Sequence, residues 1–107
     1  MALQKAIVLN SGISLPTAYH KIGTVNITRN SNENIVKFQV DIYADETARA
    51  SDKSPVKTLY TVCSDQTFVG LDVLNAEGTN IFTQCYEFLK TKTIDDIDYT
   101  LETVDLI

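Results

Sequence analysis

His20 is the only histidine, and Cys63 and Cys85 are the only cysteines, so nucleophile-and-base chemistry would have to be assembled from these three side chains. A thiolate attack needs His20 beside one of the thiols after folding, and no local motif brings it there. Zinc needs more ligands than one histidine and two thiols at these spacings offer. Asp95, Asp96 and Asp98 resemble a set of calcium ligands but lack the glycine and distal glutamate of a helix-loop-helix calcium site, so they read as a solvated acidic turn. Asp45, Glu46 and Asp52 are interleaved with Arg49 and Lys53, which reads as a neutralised surface loop. Gly12, Gly23, Gly70 and Gly78 stand too far apart to form a phosphate-binding loop. The expectation is no catalytic residue, no metal and no cofactor.

Tyrosines are the more informative class. Tyr19, Tyr43, Tyr60, Tyr86 and Tyr99 are spread along the whole chain. If Tyr43 and Tyr60 pair on one exposed face they form a flat aromatic patch suited to association. The alternative is that each ring covers the edge of the core with its hydroxyl in water. Together with the loop residues Glu46, Arg49, Asp52 and Lys53, the two tyrosines are the candidate interaction residues.

The element that must position them is Ile35 to Ala44. Val36, Phe38, Val40 and Ile42 share one parity and Lys37, Gln39, Asp41 and Tyr43 the other, which predicts a half-buried strand inside an antiparallel sheet. Leu3 to Leu9 predicts a first strand ended by the turn residues Asn10-Ser11-Gly12, and Pro16 makes Ile13 to Thr17 an extended connection. Tyr19 to Thr28 predicts a second strand whose facing slips between Ile22 and Val25, which places a β-bulge at Gly23. Arg29 to Asn34 reads as a six-residue hairpin loop.

Asp45 to Val56 reads as an exposed excursion with room for a helical turn at Glu46 to Ala50. Lys57 to Ser64 predicts another strand, while Asp65 to Gly70 and Leu71 to Leu74 carry no decisive periodicity. Thr79 reads as the N-cap of a helix over Asn80 to Thr91, with Ile81, Phe82, Cys85, Phe88 and Leu89 on its inner face. The tail predicts acidic turns and then a strand in which Tyr99, Leu101 and Thr103 alternate with their neighbours. The predicted fold class is mainly β (α+β): an antiparallel sheet or small sandwich with one helix from the C-terminal half packed on it.

At 107 residues, the chain has room for one core, so a single domain over residues 1–107 is expected. Its longest apolar runs, such as Ala6 to Leu9, fall far short of the roughly 20 residues of a membrane helix and of the roughly 7–15 of an export signal. Synthesis in a cytoplasm is therefore expected, with the two thiols as buried small hydrophobes rather than a disulfide and Asn26-Ile27-Thr28 left unglycosylated. A net charge of −5, with basic residues dispersed, opposes attraction to nucleic acid or anionic lipid.

The segments ALQKAIVLNSGISLPTAYHKIGTVNI, VDIYADETAR, YEFLKTK and DDID occur in this order. In that order the chain resembles small proteins encoded among the tail and host-recognition genes of bacteriophages and prophages of Gram-positive bacteria. The resemblance implies a virion or virion-assembly component, made in the host cytoplasm, that oligomerises or docks on a tail or fibre protein. Two other functions compete with a noncatalytic structural protein. One is a carbohydrate-binding or host-receptor module, with tyrosines stacking on cell-wall glycan. The other is a small hydrolase or thiol enzyme built on His20, Cys63 or Cys85.

Overall fold

The computed structural model describes residues 2–9, 11–30, 33–51, 53–95 and 97–106. Its centre is the long hairpin of β4 (Tyr19–Asn30) and β5 (Glu33–Tyr43). Along β5 the even-numbered Val36, Phe38, Val40 and Ile42 are buried, as their alternation predicts, and the odd-numbered residues face outward or lie at the margin. With β1 (Ala2–Gln4), β6 (Lys57–Cys63) and β9 (Val104–Leu106) the hairpin builds one sheet in the order β6-β5-β4-β1-β9. Every pairing in it is antiparallel.

The register of β4 on β5 shifts between Ile22 and Thr24, so the bulge lies at Gly23. The extra residue explains why His20 and Ile22 share the core face with Val25 despite the break in parity. The predicted six-residue loop is instead mostly ladder, because Arg29 pairs with Asn34 and Asn30 with Glu33. Asparagine-rich composition marks a loop, but continuation of the β4–β5 ladder overrides that preference. Ser31 and Asn32, with Asn10, Asp52 and Asp96, lie outside the described residues.

The first predicted strand is in fact two. Lys5 leaves the main sheet, donating its N–H to the Ala18 carbonyl at 3.1 Å and offering its own carbonyl to His20. β2 (Ile7–Val8) then pairs with β3 (Ser14–Leu15) as a small separate hairpin. A second small hairpin joins β7 (Thr93–Ile94) to β8 (Ile97–Asp98). The tail strand begins only at Val104, since Tyr99 to Glu102 is turn, with Glu102 at φ 50°.

Helices cover one face. α1 (Glu46–Ala50) is the helical turn on the exposed loop, capped by Asp45, which accepts from the Ala48 N–H at 2.7 Å. α2 (Gln66–Val69) and α3 (Leu71–Leu74) are single turns, and α4 (Ile81–Leu89) is the principal helix. Its N-cap is Asn80 rather than Thr79, with the side chain accepting from Phe82 at 2.8 Å and Thr83 at 3.4 Å. The inner face holds Cys85, Tyr86, Phe88 and Leu89, while Phe82 is partly exposed. The predicted stripe holds for Ile81, Cys85, Phe88 and Leu89, and differs in that Phe82 lies at its margin while Tyr86 turns inward, where its hydroxyl accepts from the backbone N–H of Ile22 in β4.

Two polar ties anchor α2 to the sheet. The Gln66 side-chain amide accepts from the Asn34 N–H at 3.2 Å and donates to the Asn34 carbonyl at 2.9 Å, continuing the β5 ladder where β6 has ended. Asn34 in turn donates to the Val69 carbonyl at 3.0 Å. Gly70 separates α2 from α3, and a Cβ there would overlap the Gln66 carbonyl oxygen, which is backbone and cannot turn aside. A Cβ on Gly23 would meet only the Asp41 carboxylate, at 2.6 Å, a side-chain end that can turn aside more readily than backbone. Urea melts are therefore expected to show Gly70→Ala destabilised by about 1–3 kcal/mol and Gly23→Ala by clearly less. Equal losses would contradict the account.

Candidate functional site

The groups able to react chemically are committed to the interior. His20, on the core face of β4, is fully buried with Nδ1 2.7 Å from the Tyr99 hydroxyl and Nε2 2.9 Å from the Lys5 carbonyl. A carbonyl only accepts, so Nε2 carries the hydrogen of the neutral ring and Nδ1 accepts from Tyr99. Burial brings the imidazole pKa down to about 4; the hydrogen bond to the Lys5 carbonyl opposes this, and the Lys5 charge adds a smaller downward push. Both cysteines are free and buried. Desolvation, followed by the neighbouring Cys63, pushes Cys85 up to about 12, and desolvation also raises Cys63. Among the described residues no group of histidine, cysteine and carboxylates is arranged to hold a metal.

Tyrosine placement departs from the expectation that every hydroxyl lies in water. Tyr86 and Tyr99 are core residues. The Tyr86 hydroxyl accepts from the Ile22 N–H at 2.8 Å, and Tyr99 stands edge-on to His20 with ring centroids 5.2 Å apart. Burial raises the pKa of both phenols. No periodicity announces this, because the partners are brought together only by folding.

The remaining tyrosines share the sheet face opposite α2 and α4, but Tyr43 and Tyr60 do not pair. Tyr60 lies opposite Gln39, four residues along β5 from Tyr43, about 13 Å at the strand rise. Tyr43 is opposite Tyr19, with centroids 6.2 Å apart, and the Arg49 guanidinium lies 6.0 Å from its ring centroid. Tyr43, Arg49 and Lys53 meet Lys21, Asp41 and Phe82 around a hollow of about 570 Å³. Glu46 stands exposed in the first turn of α1, away from that lining, and Asp52 is outside the described residues. The candidate residues are thus divided between two places.

Tyr60 belongs to the second. It is 77% exposed and Val62 51%, and both project from β6, the outermost strand. Beside them Thr24, Asn26, Lys37 and Gln39 line a shallow hollow of about 290 Å³. Sequence reading identified Lys37 and Gln39 as outward-facing but not Val62, Thr24 or Asn26 as their neighbours. That required the register of three strands. A further hollow of about 640 Å³ lies between the two small hairpins, bordered by Ile7, Leu15, Pro16 and Ile97 and by Lys57, which is ion-paired to Asp95 at 2.7 Å. Among the described residues no helix is long and apolar enough to cross a membrane.

Comparison of the chain with protein-family models, with curated proteins and with solved structures found no match. The fold and the two surface sites therefore define the class directly: a β-rich α+β domain whose sheet carries the principal helix on one face, the other being open except where α1 meets Tyr43.

Proposed function

We propose that this chain is a noncatalytic structural or assembly protein of a bacteriophage particle, tail- or fibre-associated, acting through protein-protein contacts. The observation that carries the reading is the pair of apolar side chains, Tyr60 and Val62, held in water on the outermost strand. Large exposed apolar groups on a sheet edge are what a partner strand or surface covers. The engagement of His20 by two structural hydrogen bonds and the burial of both thiols support action by shape rather than by reaction. The phage assignment is supported by the resemblance of the four segments. Mass spectrometry of purified particles tests it: the chain is expected at a fixed copy number, and its absence would overturn the assignment.

The second reading, recognition of host cell-wall glycan, is favoured by the hollow beside Tyr60. An exposed ring with Asn26, Gln39, Thr24 and Lys37 next to it offers stacking and hydrogen bonds of the kind sugars need. On this reading Tyr60→Ala lowers binding to isolated walls about tenfold or more, while Tyr43→Ala, outside the hollow, leaves it within about twofold. Wall binding indifferent to Tyr60 would remove this reading.

A further inference from the structure

Antiparallel ladders alternate, so each strand residue turns its N–H and C=O together towards one neighbouring strand or the other. Two observations set the phase here. The Ile22 N–H is bonded to the Tyr86 hydroxyl, so it points away from β5, and its partner Val40 must turn its own groups towards β6. The Ile42 carbonyl accepts from the Val56 N–H at 2.7 Å, on that same side. Their register partners Leu59 and Lys57 therefore face β5, as do Thr61 and Cys63 by alternation. Thr58, Tyr60 and Val62 turn their backbone groups outward. β6 ends the sheet on that side, and among the described residues no backbone hydrogen bond from another segment reaches these three.

We infer that two copies of this chain pair through β6, antiparallel, about a two-fold axis at Tyr60. The inference rests on the assembly reading above and names the chain itself as a partner. In this register Thr58 faces Val62 of the second copy and Tyr60 faces its own counterpart, so the three outward positions complete about six backbone hydrogen bonds with nothing left over. The same pairing sets Tyr60 against Tyr60 and Thr58 against Val62 on the open face, covering the most exposed apolar groups of the strand.

Charge selects this edge for a like chain. Two molecules of net charge −5 repel across most surfaces, yet the only charged side chain on β6 is Lys57. Lys57 is neutralised within its own chain by Asp95 at 2.7 Å, and the register puts it opposite the uncharged Cys63 of the second copy, so no charged residue of β6 faces another across the axis. Strands meant to stay single carry a bulge, a proline or inward charges, and Thr58 to Val62 has none of these.

The test uses the full chain. With Tyr60→Cys the two thiols would lie across a narrow pair, about 5.5 Å between Cα atoms, inside the range a disulfide spans. Mild oxidation is expected to give a covalent dimer for Tyr60→Cys and for an equal mixture of Thr58→Cys with Val62→Cys, but not for Thr58→Cys alone. Tyr60→Lys sets like charges across the axis and is expected to raise the dimer dissociation constant about tenfold or more in sedimentation, with an unchanged circular dichroism spectrum. A parent chain that sediments as a monomer at millimolar concentration overturns the inference, as does a dimer that Tyr60→Cys fails to trap. A monomer found at fixed copy number in particles would sink this interface and leave the assembly reading standing; a trapped β6 dimer absent from particles would do the reverse.

Discussion

A Phe88→Ala chain is expected to lose about 3–5 kcal/mol of stability in urea unfolding, a large share of the roughly 5–15 kcal/mol that holds a domain of this size together. Phe88 is where the helix layer meets the sheet. Its ring stands edge-on to Phe38 of β5, with centroids 6.3 Å apart, and to Phe68 of α2, at 5.7 Å. The Lys92 ammonium lies 5.3 Å from the ring centroid. Truncation opens a cavity shared by β5, α2 and α4, and none of the three can close it without leaving its own hydrogen-bond ties. Phe82→Ala on the same helix removes a ring that is 41% exposed and is expected to cost under about 1.5 kcal/mol. Equal losses from the two would show that α4 is docked on the other face.

Acidification should destabilise the fold through His20. The ring titrates at about 4 when folded against an ordinary value of 6.5, because burial disfavours the imidazolium. The unfolded chain therefore takes up the proton first. The stabilising contribution is complete above pH 6.5 and is lost as pH falls towards 4, amounting to about 3 kcal/mol at the lower end. Protonation would also put a hydrogen on Nδ1, where the Tyr99 hydroxyl now donates, so that the 2.7 Å bond must reverse. The measurement is urea unfolding at pH 7 and pH 4.5 for the parent and for His20→Gln. The parent is expected to lose more stability than the variant across this interval. An identical pH dependence would show that other groups govern the acid response.

The sequence by itself determined the sheet's interior. Alternation from Val36 to Ile42 assigned a strand and its buried face, and the parity slip around Gly23 located the bulge, because both are properties of a chain read two residues at a time. It also separated strand β6 and helix α4 from the loops between them. What it could not determine is whatever depends on residues distant in the chain. The interior place of Tyr86 was decided by its hydroxyl meeting the Ile22 N–H, that of Tyr99 by the His20 ring, and the docking of α2 by Gln66 completing the backbone of Asn34. The separation of Tyr43 from Tyr60 was likewise a matter of register between β5 and β6. Local periodicity records which side of a strand or helix is apolar; which hydrogen-bond donor finds which acceptor across the core is fixed only when the elements pack, since a buried polar group left without its partner costs free energy.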